Sequence, residues 1–260
     1  MHVKARGAAA LLTVPALLLA AGCSGTPEDG DHRGEGKSSG RPSATGSPTA
    51  GTPGTPTGGS PSGAPTTAAG SLLARAALAQ GDLDGYQISA QGKDPSAPDG
   101  QPQADRAACQ PLADIMGDKP DPAARETVNR GIGSRTKLGL AVSASLSSYT
   151  EAGAENLVSG LRRALASCAS GFSATVEKQT GTYRDVKAVP YRTAGDDTVS
   201  WNVTASAAGV SAPVHLLVVR EGSTVIRMMA LNVASQDRAE VPRELPEKQL
   251  EKLAAAQREG

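Results

Sequence analysis

Aromatic side chains are nearly missing from this chain: one Trp, one Phe and four Tyr make up 2% of 260 residues. Stacking platforms for bases or sugar rings are built from these residue types, so the composition argues against both ligand classes. An excess of charge of one sign is missing too. Lys and Arg together number 26, as do Asp and Glu, which leaves no bulk basic field for a nucleic-acid backbone. After residue 22 no run approaches the roughly 18 consecutive apolar residues of a membrane-spanning helix. From Ser24 to Gly70 there is no Val, Ile, Leu, Met, Phe, Tyr or Trp at all. Cysteine occurs only as Cys23, Cys109 and Cys168, and His215 is the one histidine after Gly70.

What is there begins with an export pattern. Lys4 and Arg6 give a short positive start, and Ala8 to Ala21 is an apolar run too short to span a membrane permanently. The run ends Leu19-Ala20-Ala21-Gly22-Cys23. Small residues before a cysteine resemble the bacterial lipobox, with Ala20 standing where Leu is commonest. Met1–Gly22 is therefore expected to be a lipoprotein signal peptide. Cys23 is expected to be the lipidation site, its thiol taking a diacylglycerol and its new amine an acyl chain such as palmitate. Two or three acyl chains, at about 0.8 kcal/mol per buried CH₂, make a stable anchor. The alternative is an ordinary secretory signal with a chance cysteine.

Residues 23–70 carry nothing to bury and cannot offset their ordering entropy. A disordered tether is expected there, spanning on the order of 35–40 Å. Gly36-Lys37-Ser38-Ser39-Gly40 matches the G-x-S-x-G pattern of hydrolase elbows. That motif needs a strand before it and a helix after it, which this composition does not supply.

A folded domain is expected over residues 71–260. Ser71 caps a helix running to Gln80. Gly81–Gly85 is a turn, Tyr86–Ala90 a strand, and Gln91–Gln103 a loop. A second helix spans about Ala104–Met116, with Ala108, Cys109, Leu112, Ile115 and Met116 on its apolar side. Ala124–Arg135 is extended. Leu138, Leu140, Val142, Ala144 and Leu146 alternate as in a half-buried strand. Thr150 caps a helix whose Ala154, Leu157, Val158, Leu161, Ala164, Leu165 and Cys168 recur at helical spacing, and Gly171 ends it. Phe172–Lys178 and Tyr183–Tyr191 pair around Thr180-Gly181. Thr198–Ser206 follows the Gly195-Asp196-Asp197 turn, and Val214–Arg220 and Thr224–Val233 flank Glu221-Gly222-Ser223 as a hairpin. A final helix covers about Glu247–Arg258. This order predicts an α+β fold: a single domain with a mainly antiparallel sheet packed by helices.

Cys109 and Cys168 sit on the apolar stripes of two predicted helices. In a disulfide-permissive compartment they most simply form a bridge, worth about 4 kcal/mol on the chain-entropy model. Two separate buried thiols are the alternative. A zinc site needs four ligands, and the domain has one histidine.

No catalytic constellation stands out. His215 is the sole base available to a Ser-His-Asp or Cys-His arrangement, but it lies in the strand-like run Pro213–Val219 and reads as a strand residue on the less apolar face. Asp82-Leu83-Asp84-Gly85 matches the opening of a calcium loop without its later ligands. Asp196-Asp197 could be paired carboxylates, yet neighbours in a turn usually point apart. Gly131-Ile132-Gly133 lacks the third glycine of a dinucleotide loop. Asn202-Val203-Thr204 has the form of a glycosylation sequon. Arg162-Arg163 reads as a solvated helix face. The expectation is a non-enzyme without cofactor or metal.

Several short runs resemble the PknH-like extracellular sensor domain of actinobacterial receptor kinases and free lipoproteins. They are Leu83-Asp84-Gly85-Tyr86, Ala108-Cys109-Gln110-Pro111-Leu112, Leu146-Ser147-Ser148-Tyr149, the helix with Leu161, Ala164, Leu165 and Cys168 followed by Phe172, Val199-Ser200-Trp201, and the tail near Gln249 and Leu253. The resemblance covers about Ser71 to Gln257. It implies an antiparallel sheet with helices on it, an open cleft that binds a ligand, and a disulfide between Cys109 and Cys168. The kinase-linked members carry a second disulfide later in the β region. This chain has no cysteine there, so the resemblance does not carry over to Lys178–Asp197. The expected function is a membrane-anchored extracytoplasmic sensor or binding lipoprotein. Its partners are the membrane, through the lipid, and an unidentified small-molecule, lipid or cell-wall ligand or envelope protein, with no nucleic acid. A structural envelope protein that docks on a partner, and an envelope hydrolase using His215 or Asp196-Asp197, are the alternatives.

Overall fold

Nine strands form one sheet in the order β1-β3-β4-β9-β8-β7-β6-β5-β2, and every neighbouring pair is antiparallel. The structure is a computed structural model that describes residues 70–91, 100–117 and 122–259. The expected signal peptide Met1–Gly22, Cys23, the expected tether short of Gly70 and Gly36–Gly40 lie outside the described residues. In chain order the elements are α1 (Leu72–Ala76), β1 (Tyr86–Ala90), β2 (Gln103–Ala104), a 3₁₀ turn (Ala107–Cys109), α2 (Gln110–Asp114), β3 (Glu126–Ser134), β4 (Leu140–Ser148) and α3 (Glu151–Ser167). They continue with β5 (Phe172–Val176), β6 (Gln179–Ala188), β7 (Asp197–Ala207), β8 (Val210–Glu221), β9 (Thr224–Asn232) and α4 (Glu244–Arg258). The α+β class read from the sequence is the class observed.

Both faces of the sheet are covered. On one face Leu146, Leu217, Val219, Ile226 and Met228 pack with Leu73 of α1 and Leu245 and Leu253 of α4. On the other, Trp201, Val203, Leu216 and Val218 pack with Leu112 of α2 and Leu157, Val158 and Leu161 of α3. Burial on both faces explains why Leu216–Val219 is a continuous apolar run where a one-sided strand alternates. His215 shares its face with Ser200 and Asn202, the less apolar side of the strand, but that side is covered too and His215 is 1% exposed.

Several boundaries differ from the sequence expectation, and four of them have a clear local reason. The first helix ends at Ala76 instead of Gln80, because Ala77 turns extended and Gln249 of α4 intervenes. The Gln249 side chain donates to Ala76 O at 2.7 Å and accepts from Leu78 N at 3.2 Å, which replaces the next helical turn. The second helix starts at Gln110 instead of Ala104. Gln103 and Ala104 pair with β5 as β2, Ala108 is exposed, and Pro111 sits in the first turn, where it has no helical N–H to lose. Leu138 is outside its strand and 89% exposed, since Gly139 at φ 82° makes a turn before Leu140. The β5–β6 hairpin turns at Glu177-Lys178, with Glu177 at φ 52°, so Thr180 and Gly181 are strand residues opposite Thr175 and Ala174.

α3 matches its sequence pattern. Thr150 Oγ1 accepts from Gly153 N at 3.0 Å, and Ala154, Leu157, Val158, Leu161, Ala164 and Leu165 are buried. Each large side chain so buried contributes about 1.5–3 kcal/mol. β6 bulges between Arg184 and Lys187, and Asp185 has φ 54°.

Candidate functional site

A disulfide of Cα–Cα 5.9 Å joins Cys109, just before α2, to Cys168, the C-cap of α3. It ties a five-residue helix, far too short to persist alone, against a seventeen-residue one. Between the two helices lies a cleft of about 190 Å³. Pro111, Asp114 and Ile115 line it from α2, Asn156, Leu157, Gly160, Leu161 and Arg163 from α3, and Pro122 completes the lining. Gly160 leaves the space open, since a Cβ there would come no nearer than 3.9 Å to Pro111 or to Arg163 Nη2.

The chemical feature of the cleft is Asp114, a carboxylate only 7% exposed. Its Oδ1 accepts from Gln101 Nε2 at 2.9 Å and Gln110 Nε2 at 2.7 Å. Both donors are neutral amides, and no Lys or Arg among the described residues pairs with this carboxylate. Arg227 of β9 instead donates to Ile115 O at 2.7 Å, holding the C-terminal end of α2 to the sheet. Gly117 is required beside it, because a Cβ there would stand 2.5 Å from Gln101 Oε1. Arg163 is exposed at the cleft and makes no ion pair among the described residues. Sequence reasoning missed Asp114, Gly160 and the separate standing of Arg163. The available signal was a carboxylate inside the apolar stretch Leu112–Ile115.

A second, more open groove of about 460 Å³ lies at the β5–β6 end of the sheet. Phe172 and Tyr183 stack beside it with centroids 4.7 Å apart, and Asp105 and Arg184 line it.

The residues singled out by sequence are scattered, and most have structural occupations. His215 Nδ1 accepts from Val241 N at 3.0 Å, so in the neutral ring the proton is on Nε2. That Nε2 faces Ser200 Oγ at 2.7 Å and donates to it. A general base would have to accept from the serine, so this tautomer is the wrong one for a Ser-His nucleophile. Tyr191 tilts against the imidazole at 5.8 Å and donates to Val241 O. Asn202 lies opposite His215 in the sheet, 5% exposed, and its Oδ1 is a buried acceptor without a partner among the described residues.

Asp196 and Asp197 do not point apart. Both turn to Arg220, at 3.1 and 2.8 Å, and Arg162 reaches Asp197 at 2.7 Å. Thus Arg162 is part of an ion network and not merely solvated. The hydrogen bond from Arg162, with that from Arg220 behind it and burial opposing, holds the Asp197 carboxyl below the usual range, where it is a poor acid or base. Asp82 Oδ2 is engaged by Ala79 N and Lys252 Nζ, both at 2.6 Å, and Asp84 is exposed, as in a turn and not a calcium loop. Gly131–Gly133 lies within β3 between β1 and β4. Among the described residues no group of three His, Cys, Asp or Glu could hold a metal ion, and no helix is long and apolar enough to cross a membrane.

No protein-family model matches the sequence, and no curated protein matches it. The chain is similar to the extracellular domain of PknH from Mycobacterium tuberculosis, at 12% identity and a TM-score of 0.45, over 72% of this chain and 95% of that one. It is also similar to an Rv0999 ortholog from Mycobacterium smegmatis, at 13% identity and a TM-score of 0.36, over 67% of this chain and 90% of that one.

Proposed function

We propose that this chain is a non-catalytic binding lipoprotein of the cell envelope, anchored at the outer face of the membrane through Cys23, with a ligand seated between α2 and α3. The observation that carries the reading is the cleft itself: two helices pinned by the Cys109–Cys168 disulfide, with a buried carboxylate that has no ion-pair partner among the described residues, set among Pro111, Ile115, Leu157 and Leu161 with Asn156 and Arg163 at hand. A concave, largely apolar site with a few placed polar groups is the usual form of a small-molecule site. The export pattern, the lipobox and the Gly/Pro/Ser/Thr segment support an exported, anchored domain held off the membrane. The hydrolase alternative loses its base, since His215 is buried in the wrong tautomer and the Asp196-Asp197 pair is neutralised by Arg220 and Arg162. One observation favours docking on a partner protein as a second reading. Leu138 and Val233 are 89% and 71% exposed on adjoining turns, joined by Val233 N to Gly139 O.

Two measurements test the reading. Membrane fractionation of Cys23→Ser should move the protein to the soluble fraction, and retention in the membrane would refute the anchor. Thermal-shift screening of the purified chain against cell-wall fragments, lipids and small metabolites should find one class that raises the melting temperature. That shift should be absent in Gly160→Leu, whose side chain occupies the cleft. A flat result in every class would overturn the binding role.

A further inference from the structure

Cleft size, wall chemistry and the two charges together narrow the ligand. A volume of about 190 Å³ lies below the roughly 300–1,000 Å³ of sites that take drug-sized molecules, so the occupant has few heavy atoms. Ile115, Leu157 and Leu161 offer apolar contact, which suits a short aliphatic group. Asp114 presents a carboxylate more than nine-tenths buried. One of its oxygens is occupied by two neutral amides, and the other accepts nothing from the described residues. A buried carboxylate held by amide donors alone is incompletely compensated and gains most from a cation with N–H donors. On the facing helix Arg163 presents a guanidinium without a carboxylate partner among the described residues, its Nη2 beside the gap over Gly160. Its only described side-chain contact is Nη1 to Ser159 Oγ at 3.3 Å. The site therefore offers one anionic wall, one cationic wall and an apolar floor.

We infer that the cleft binds a small zwitterionic α-amino acid, its ammonium on Asp114, its carboxylate on Arg163 and its aliphatic side chain against Ile115, Leu157 and Leu161. This rests on the reading of the cleft as the ligand site. Complementary charges at both ends give selectivity that either alone lacks, because a molecule with only one charge leaves the opposite wall unpaired. Gly160 is the position that admits the ligand backbone, where any larger side chain would project into the space.

The test uses the full chain purified in detergent. L- and D-alanine and L- and D-valine are titrated by calorimetry beside n-butylamine, which carries only the cation, and isobutyrate, which carries only the anion. At least one amino acid should bind at millimolar or tighter concentration, and at least about tenfold more tightly than either singly charged probe, one charge-assisted hydrogen bond being worth that much. Asp114→Asn keeps the acceptor for Gln101 and Gln110 and should weaken amino-acid binding by at least about tenfold, and Arg163→Gln likewise. Gly160→Ala, a favourable change inside a helix, should melt no lower than the parent and so control for folding. Gly160→Leu should abolish binding. Failure of all four amino acids to bind, equal binding of a singly charged probe, or unchanged affinity in Asp114→Asn overturns the inference. If a different class of compound then binds and Gly160→Leu abolishes that binding, the cleft stands as the ligand site and only the zwitterion is wrong. If Gly160→Leu alters no binding, both fall together.

Discussion

Protonating His215 would set an Nδ1–H against the Val241 N–H, two donors facing each other in a buried site. Burial pushes the His215 imidazole below its ordinary value, with Glu240 opposing and Arg238 adding to the shift. The unfolded chain therefore takes up this proton at a higher pH than the folded one. The folded state keeps its full advantage above about pH 6.5 and loses it as pH falls below that value, at up to about 1.4 kcal/mol per pH unit until the folded imidazole itself titrates. Asp197 and Glu244 have carboxyls lowered chiefly by the hydrogen bonds from Arg162 and Tyr86, and they give up their contribution only further into acid. Urea midpoints taken between neutral pH and pH near 5 should fall in the parent and stay nearly level in His215→Gln. An equal slope in both would assign the sensitivity to another group. The His215 environment was only half legible in the sequence. The strand was plain, but its partner Val241 comes from a loop that no periodicity marks. Asp114 was illegible for a similar reason, because Gln101, one of the two amides that satisfy it, lies thirteen positions earlier, beyond the helix.

Elements with strong periodic or turn chemistry were readable from their own residues. α3 is an example, with Thr150 at its start and six buried positions at helical spacing, and so is the β8–β9 hairpin around Gly222 at φ 56°. Elements fixed by distant partners were not readable. β2 is two residues recruited by the edge of β5, and α1 is cut short by Gln249 arriving from the other end of the chain. The β7–β8 turn was missed for a different reason. Ala208-Gly209 joins Ala207 to Val210 with both residues at positive φ, 49° and 80°, and alanine is not a residue that announces such a turn. The geometry is that of a type I′ turn, for which Asn-Gly is preferred. An L-residue other than Gly, Asn or Asp held there costs roughly 1–2 kcal/mol. Ala208→Asn should therefore raise stability by about 0.5–1 kcal/mol without moving the register, read as a higher urea midpoint at unchanged slope. A lower midpoint would show that the turn is not the strained element.

The described residues form one sheet with two cores, and the two sides are secured differently. On the α1/α4 side the helices hold through packing and the buried Gln249, whose amide serves both the end of α1 and Leu78. On the α2/α3 side α2 has five residues and little to bury, and its attachment depends on the Cys109–Cys168 bond together with Arg227 at its far end. The bond closes a separation of 59 residues, which the chain-entropy model values at about 4 kcal/mol. Replacing both cysteines by alanine should lower global stability by up to about that amount. The loss should be uneven across the molecule, because a locally tethered unit opens at lower free energy than the sheet. Hydrogen exchange on the double variant should show α2 and the last turn of α3 exchanging much faster than the global change accounts for. The amides of β8, β9 and α4 should follow the global change alone. Equal loss of protection on both sides would mean that the sheet transmits the disulfide's constraint throughout, and α2 would then be held by packing. The unequal result would place the cleft on the less stable side of the molecule, where a ligand bridging α2 and α3 adds the most order.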